Sequence, residues 1–269
     1  VPYATSLDAV EIYYEVRGSR GIPLILLAGQ SNTHHWWDAA CPDFEGARRV
    51  VVLDWRGTGR SAAPDDDSYS TRGFATDVLA VMDHLGIDRA DVYGTSMGGR
   101  VAQWLAVDHP GRVRALVLGC TSPGGAHSVE RSAEVRRALS QPDADAAQRA
   151  LAELMYTPAY LARHPGPHHT LGDPAMSDHA RRQHLRASAR HDAWDVLPSI
   201  IAPTLVVHGS DDRFNPTANA ELLAGRIPGA RMHLIPQARH AYFEEFRSTA
   251  SPLVLEFLDQ ARLGQFSRR

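Results

Sequence analysis

Three residue types that together perform nucleophilic catalysis occur along this chain in a useful order. Ser96 lies in Gly94-Thr95-Ser96-Met97-Gly98, a match to G-x-S-x-G. The short apolar run Asp91-Val92-Tyr93 precedes it, and a helical pattern from Val101 to Val107 follows. A tight strand-to-helix turn would project the hydroxyl outward, and Gly94 and Gly98 would let strand and helix approach each other. The helix would open at the serine itself, so its free amides and dipole would favour a developing oxyanion. The same pentapeptide also fits a glycine-rich turn without catalytic meaning, or one that binds phosphate.

A serine hydroxyl is a weak nucleophile until a base takes its proton, and the base needs an orienting acid. Downstream, Leu205-Val-Val-His-Gly-Ser-Asp-Asp-Arg-Phe-Asn-Pro216 reads as a buried strand running into a loop with two carboxylates, Asp211 and Asp212. Beyond a strand ending at Ile235 comes Gln237-Ala-Arg-His-Ala-Tyr242, which carries His240. His233 is the only other histidine after the acids, and it falls inside the strand pattern.

The elements that must position these groups follow from periodicity. Glu11 to Val16 alternates like a half-exposed strand, whereas Leu24 to Ala28, Val50 to Leu53 and Ala115 to Leu118 are short continuous apolar runs, as in parallel strands buried on both faces. Helical patterns lie between them, notably Phe74 to Leu85. The alternation predicts an α/β fold with a mostly parallel, doubly wound sheet. It resumes with the strand Pro203 to Val207, a helix around Ala218 to Ala224, the strand Arg231 to Ile235 and a helix from about Phe246 to Ala261. Between these two halves the rhythm fails: helical segments such as Glu130 to Leu139 and Ala146 to Met155 appear, with no convincing strand. Residues 1–122 and 198–269 are therefore expected to form the core, and 123–197 a helical cap.

Composition narrows the chemistry. The 269 residues are 43% hydrophobic and 22% charged with a formal net charge of −3, which fits a globular protein without a basic footprint for nucleic acid or anionic membrane. No apolar run is long enough to span a bilayer, and the start lacks the pattern of a signal peptide. Two cysteines, Cys41 and Cys120, cannot build a disulfide framework, which favours a reducing cytoplasm. All 28 basic residues are arginine, so Schiff-base chemistry, the P-loop lysine and every Ser-Lys dyad are excluded. The bias toward Arg, Ala and Gly suggests a GC-rich bacterial genome.

Taken together these motifs resemble the α/β-hydrolase fold superfamily, in particular its cap-bearing esterases, lactonases and perhydrolases. The resemblance runs from about Glu11 to Leu258, outside the insertion. Members typically carry G-x-x-D-x-x-x-P after the seventh strand; Gly209, Asp212 and Pro216 have that spacing, which favours Asp212 over Asp211 as the acid. His240 matches the family histidine, although Arg239 stands where glycine is usual. Leu27-Ala28-Gly29-Gln30 corresponds to the loop that supplies half of the oxyanion hole, with alanine in place of the usual histidine, so the resemblance implies the amides of Gln30 and Met97 as donors. Asp54-Trp-Arg-Gly-Thr-Gly-Arg-Ser61 resembles the turn D-x-R-G-x-G-x-S and is assigned a structural role.

The expected activity is cleavage of a small-molecule carboxylic ester or lactone through an acyl-enzyme, with Ser96, Asp212 and His240 catalytic and no cofactor. The same triad could serve C–C bond hydrolysis, perhydrolysis or lyase chemistry, and the fold could instead act as a ligand-binding receptor with little turnover. Serine at the turn disfavours dehalogenase and epoxide hydrolase chemistry, which need aspartate there. Trp36, Trp37, Tyr156 and Trp194 are candidate pocket walls, though each fits private packing equally well. His34-His35 and His164-x-x-x-His168-His169 lack the companions of a metal site, and none is expected.

Overall fold

The computed structural model describes residues 2–263. Its elements run β1 Tyr3–Thr5, β2 Glu11–Arg17, β3 Pro23–Leu27, α1 Cys41–Glu45, β4 Arg49–Leu53, α2 Thr71–His84, β5 Ala90–Thr95, α3 Met97–Asp108 and β6 Val113–Gly119. They continue with α4 Ala133–Leu139, α5 Ala144–Met155, α6 Pro158–Arg163, α7 Asp178–Ala189, β7 Thr204–Gly209, α8 Ala218–Arg226, β8 Arg231–Ile235, α9 Tyr242–Glu245 and α10 Arg247–Arg262. The strands form one eight-stranded sheet in the order β1-β2-β4-β3-β5-β6-β7-β8. Pairings β1–β2 and β2–β4 are antiparallel, and all those from β4 to β8 are parallel.

The continuous apolar runs are explained by a sheet covered on both faces. Ile25, Leu27, Val51, Val92, Leu116 and Val206 point into one core layer with α2 and α3, while Leu24, Leu26, Val50, Tyr93, Val117 and Leu205 point into the other with α1 and α10. The two-residue period of a strand thus divides each run between two cores. β8 departs from this pattern: Arg231, Met232 and His233 are exposed, as an edge strand allows.

Between β6 and β7 the described residues form only helices and loops. Sequence periodicity starts α4 at Glu130, but the helix begins at Ala133, because Ser132 caps it by accepting from the Val135 amide at 3.2 Å. Helices α6 and α7, which apolar spacing does not reveal, start at Thr157 and Ser177 caps. The buried face of α7 is Ala180, Gln183, His184 and Ala187, too polar to stand out.

Polar contacts tie this insertion to the core. His184 Nε2 donates to Arg56 O at 2.9 Å while its Nδ1 accepts from the Ser31 amide at 3.2 Å. Asp173 accepts from the Gly59 amide at 2.8 Å and its own amide donates to Ser31 O at 2.7 Å. Under this junction Asp54 accepts from His34 N and Nδ1, both at 2.7 Å, and from Arg60 N at 2.9 Å. Gly59 is required there, since a Cβ would fall 2.2 Å from Asp54 Oδ2 at a φ of +52°.

Burial pulls His184 down to about 4 and His191 well below the ordinary histidine range, so both are neutral in the folded protein. An unfolded imidazole titrates near ~6.5, so below that pH the unfolded chain binds the extra protons. Their contribution to stability is complete above pH ~6.5 and is lost as pH falls toward 4. Urea unfolding between pH 6.5 and 4.5 should show stability falling with pH, and His184→Gln should flatten that slope by up to ~1.4 kcal/mol per pH unit. An unchanged slope would contradict a neutral His184.

Candidate functional site

The centre of the site is the turn between β5 and α3. Ser96 has φ 54° and ψ −121°, a conformation that a non-glycine residue adopts only under constraint. The constraint is close packing without side chains: a Cβ on Gly94 would lie 2.2 Å from Gly98 O, and one on Gly98 would lie 2.2 Å from Leu27 O. Helix α3 is thereby seated against the end of β3, so its first amides lie beside the loop that follows Leu27. The Ser96 amide donates to Gly119 O at 2.9 Å and Thr121 Oγ1 donates to Ser96 O at 2.7 Å, which fixes the turn from the β6 side.

The amides of Gln30 and Met97 take no part in the backbone hydrogen bonds around them. Their loop is held elsewhere: Asn32 Nδ2 donates to Gln30 O at 2.7 Å, and Ser31 is bound by His184 and Asp173. Trp36 packs over Gly29, where a Cβ would lie 2.5 Å from the indole, and its Nε1 donates to Thr95 Oγ1 at 2.8 Å.

Loops after β7 and β8 bring Asp212 and His240 together. His240 Nδ1 donates to Asp212 Oδ2 at 2.7 Å, with both side chains buried. Because an ionised carboxylate can only accept, the proton sits on Nδ1 and leaves Nε2 as the basic nitrogen. That Nε2 is buried and has no hydrogen-bond partner among the described residues, Ser96 included. Burial pushes the Asp212 carboxyl up, but the charge His240 can carry and hydrogen bonds from His208 and His240 outweigh it and hold the carboxyl well below its ordinary range. Asn215 N adds a donor to Oδ1 at 2.8 Å. Asp211, by contrast, is exposed and accepts from Ser210 Oγ at 2.9 Å.

His208 was not singled out by sequence reasoning. Its Nε2 donates to Asn215 O at 2.8 Å and lies 3.2 Å from Asp212 Oδ2, so it steers the acid from behind. The signal was a histidine in an otherwise apolar strand, four residues before the aspartate. Phe214 was also missed; it meets the His240 ring edge-on, centroids 4.7 Å apart.

Other sequence candidates are distributed differently. Trp37 is fully buried against Tyr93 and Phe243 in the sheet's lower core. Tyr156 is buried and donates to Glu244 Oε2 at 2.7 Å. Trp194 stacks on His127 at 4.4 Å and lies under Arg226, at the end of α8. His34 pairs with Asp54 and Glu15, and His35 with Asp38. Among the described residues no group of three or more His, Cys, Asp or Glu could hold a metal ion. Nor is any described helix long and apolar enough to cross a membrane.

Arg239, which stands where the resemblance has glycine, latches the histidine loop to the end of α5. Its Nη1 donates to Glu153 O and, at 3.1 Å, to Tyr156 O. The amides of His240 and Ala241 donate to Leu154 O at 3.4 Å and Met155 O at 2.9 Å. The open carbonyls at the C-terminus of α5 are thus capped by the loop that carries His240.

The sequence profile of the alpha/beta hydrolase fold matches residues 22–246, and the chain belongs to that family of hydrolases. It is 32% identical over 262 residues to the 2-hydroxymuconate semialdehyde hydrolase of Pseudomonas sp. (strain CF600), covering 92% of this chain and 90% of that one. It is 30% identical over 259 residues to the putative carbamate hydrolase RutD of Caulobacter sp. (strain K31), covering 92% and 95%. Among solved structures it is similar to the enol-lactonase from Burkholderia xenovorans LB400, with a TM-score of 0.83, 26% identity and coverage of 96% and 100%.

Arg239→Gly should speed hydrogen exchange at the His240 and Ala241 amides and lower stability by about 1–2 kcal/mol, the worth of a charged hydrogen bond at a partly open site. Exchange at wild-type rates would show that the latch does not hold the loop.

Proposed function

We propose that the chain is a serine hydrolase that cleaves a small-molecule carboxylic ester or lactone. The reading is carried by one observation: Ser96 stands at a strained strand-to-helix turn while a buried His240, oriented by Asp212, keeps its second nitrogen unpaired. His240 Nε2 takes the Ser96 proton as Oγ attacks the carbonyl carbon, and the amides of Gln30 and Met97 receive the oxyanion. The tetrahedral intermediate collapses to an acyl-Ser96 as His240 protonates the departing alcohol oxygen. Water, deprotonated by the same nitrogen, then releases the acid and restores Ser96. The depressed Asp212 carboxyl remains ionised throughout and stabilises the imidazolium. Each oxyanion donor contributes roughly 3 kcal/mol in the transition state.

A second reading keeps these residues but cleaves a C–C bond beside a ketone. It is favoured by the 32% identity to a protein named 2-hydroxymuconate semialdehyde hydrolase. Products from a panel of esters, lactones and vinylogous diketones separate the two.

Ser96→Ala should lower ester hydrolysis by at least about 10³-fold and abolish labelling by a fluorophosphonate, while Asp212→Asn should cost about 10³–10⁴-fold in kcat. Full hydrolysis by Ser96→Ala would overturn the assignment. Wild-type protein that takes no fluorophosphonate would point to a binding role instead.

A further inference from the structure

Near His240 stands a cation that forms no contact ion pair among the described residues. The guanidinium of Arg131 lies 4.2 Å above the Phe214 ring, and Phe214 meets His240 at 4.7 Å, so the charge is within about 9 Å of the imidazole. Arg131 makes no ion pair or side-chain hydrogen bond among the described residues. Its neighbours add to the positive charge. Arg100, one turn beyond Ser96, donates to Ser188 O at 2.7 Å and Ser122 Oγ at 3.0 Å, has a buried Nε without a partner, and meets no carboxylate. Arg136 donates to the Arg131 carbonyl at 2.7 Å.

The nearby carboxylates, Glu130 and Asp212, act on Arg131 across space and partly offset its charge, but neither forms a contact ion pair with it. Glu130 is exposed and forms no ion pair with either guanidinium, and Asp212 is engaged by His240, His208 and Asn215. Burial, with the charge of Arg131 added, pulls Arg100 down to about 10, and burial lowers Arg131 as well. A partly desolvated guanidinium is costly unless an anion pairs with it.

The backbone leading to this cation is held in place. Val129 N donates to Asn219 Oδ1 and Asn219 Nδ2 donates back to Val129 O, each at 2.9 Å. Asn219 Nδ2 reaches Asn215 Oδ1 at 3.0 Å, and the Asn215 amide binds Asp212 at 2.8 Å. The segment entering Arg131 is therefore tied to the loop that carries the catalytic acid. A backbone held in this way lowers the ordering cost of binding.

Resting on the serine-hydrolase reading, we propose that Arg131, backed by Arg100, seats a carboxylate carried by the substrate. The molecule cleaved is then an ester or lactone with a second, ionised carboxyl group a few carbons from the reacting carbonyl. The planar fork of one guanidinium matches one carboxylate in a bidentate pair.

Two measurements test this. The first is the ratio of kcat/KM for mono-p-nitrophenyl glutarate to that for p-nitrophenyl butyrate. Wild-type protein should favour the anionic ester, and Arg131→Gln should collapse the ratio by about 10- to 100-fold, chiefly through KM, with Arg131→Lys restoring part of it. No preference in the wild type, or an unchanged ratio in Arg131→Gln, overturns the anion seat while leaving ester hydrolysis through Ser96 in place. The second is calorimetric titration of the Ser96→Ala protein with glutarate, which needs no turnover. Binding that disappears in the Ser96→Ala/Arg131→Gln protein supports the seat even if Ser96 proves not to be the nucleophile; absence of binding to Ser96→Ala counts against it.

Discussion

Backbone at φ 54° and ψ −121° costs a serine about 1–3 kcal/mol, and the site depends on Ser96 being kept there. What keeps it there is the near contact of β5, α3 and β3 through Gly94 and Gly98, where any Cβ would collide with a backbone carbonyl. The same contact sets the first amides of α3 beside the loop after Leu27. One packing constraint therefore holds Ser96 at the turn and gathers the two candidate oxyanion donors. Strain at Ser96 is sustained by the eight-stranded sheet, whose two buried layers leave β5 no freedom to relax.

Histidine and aspartate are brought together by a different route. Their loops leave the ends of β7 and β8, so their separation is fixed by strand pairing from Leu205–Arg231 to Gly209–Ile235. Fine orientation then comes from polar contacts: His208 and Asn215 hold Asp212, and Phe214 presses on the His240 ring. The helical segment between β6 and β7 adds its own control, since α5 ends on the backbone of the His240 loop and α7 holds the loop of Ser31 through His184. Both loops next to the reacting centre thus depend on how the insertion is seated.

Much of this geometry is legible in the residues. The turn at Ser96 is a local matter of two glycines between an apolar strand and a helix, and the strands announce themselves because parallel strands buried on both faces must be apolar throughout. Gly209 and Pro216 mark Asp212 through the resemblance to the family pattern, and the structure has Asp211 exposed while Asp212 meets His240. What escapes a single sequence is long-range or polar. The buried face of α7 carries Gln183 and His184, so no apolar period betrays it. Arg239 looks like a departure from pattern until Glu153 and Tyr156 are seen to lie beneath it. Trp194 is as aromatic as any pocket wall, yet its partners are His127 and Arg226. Arg131 is one arginine among many until its place over Phe214, without a contact ion pair among the described residues, sets it apart.

The central claim is that Ser96 carries the acyl group during turnover, and mass spectrometry of a rapidly quenched reaction with an activated ester reads this directly. The account predicts one acyl group per chain, on the peptide containing Ser96, forming faster than it decays. Hydrolysis at the same rate with no acylated peptide, or with the acyl group on another residue, would contradict it.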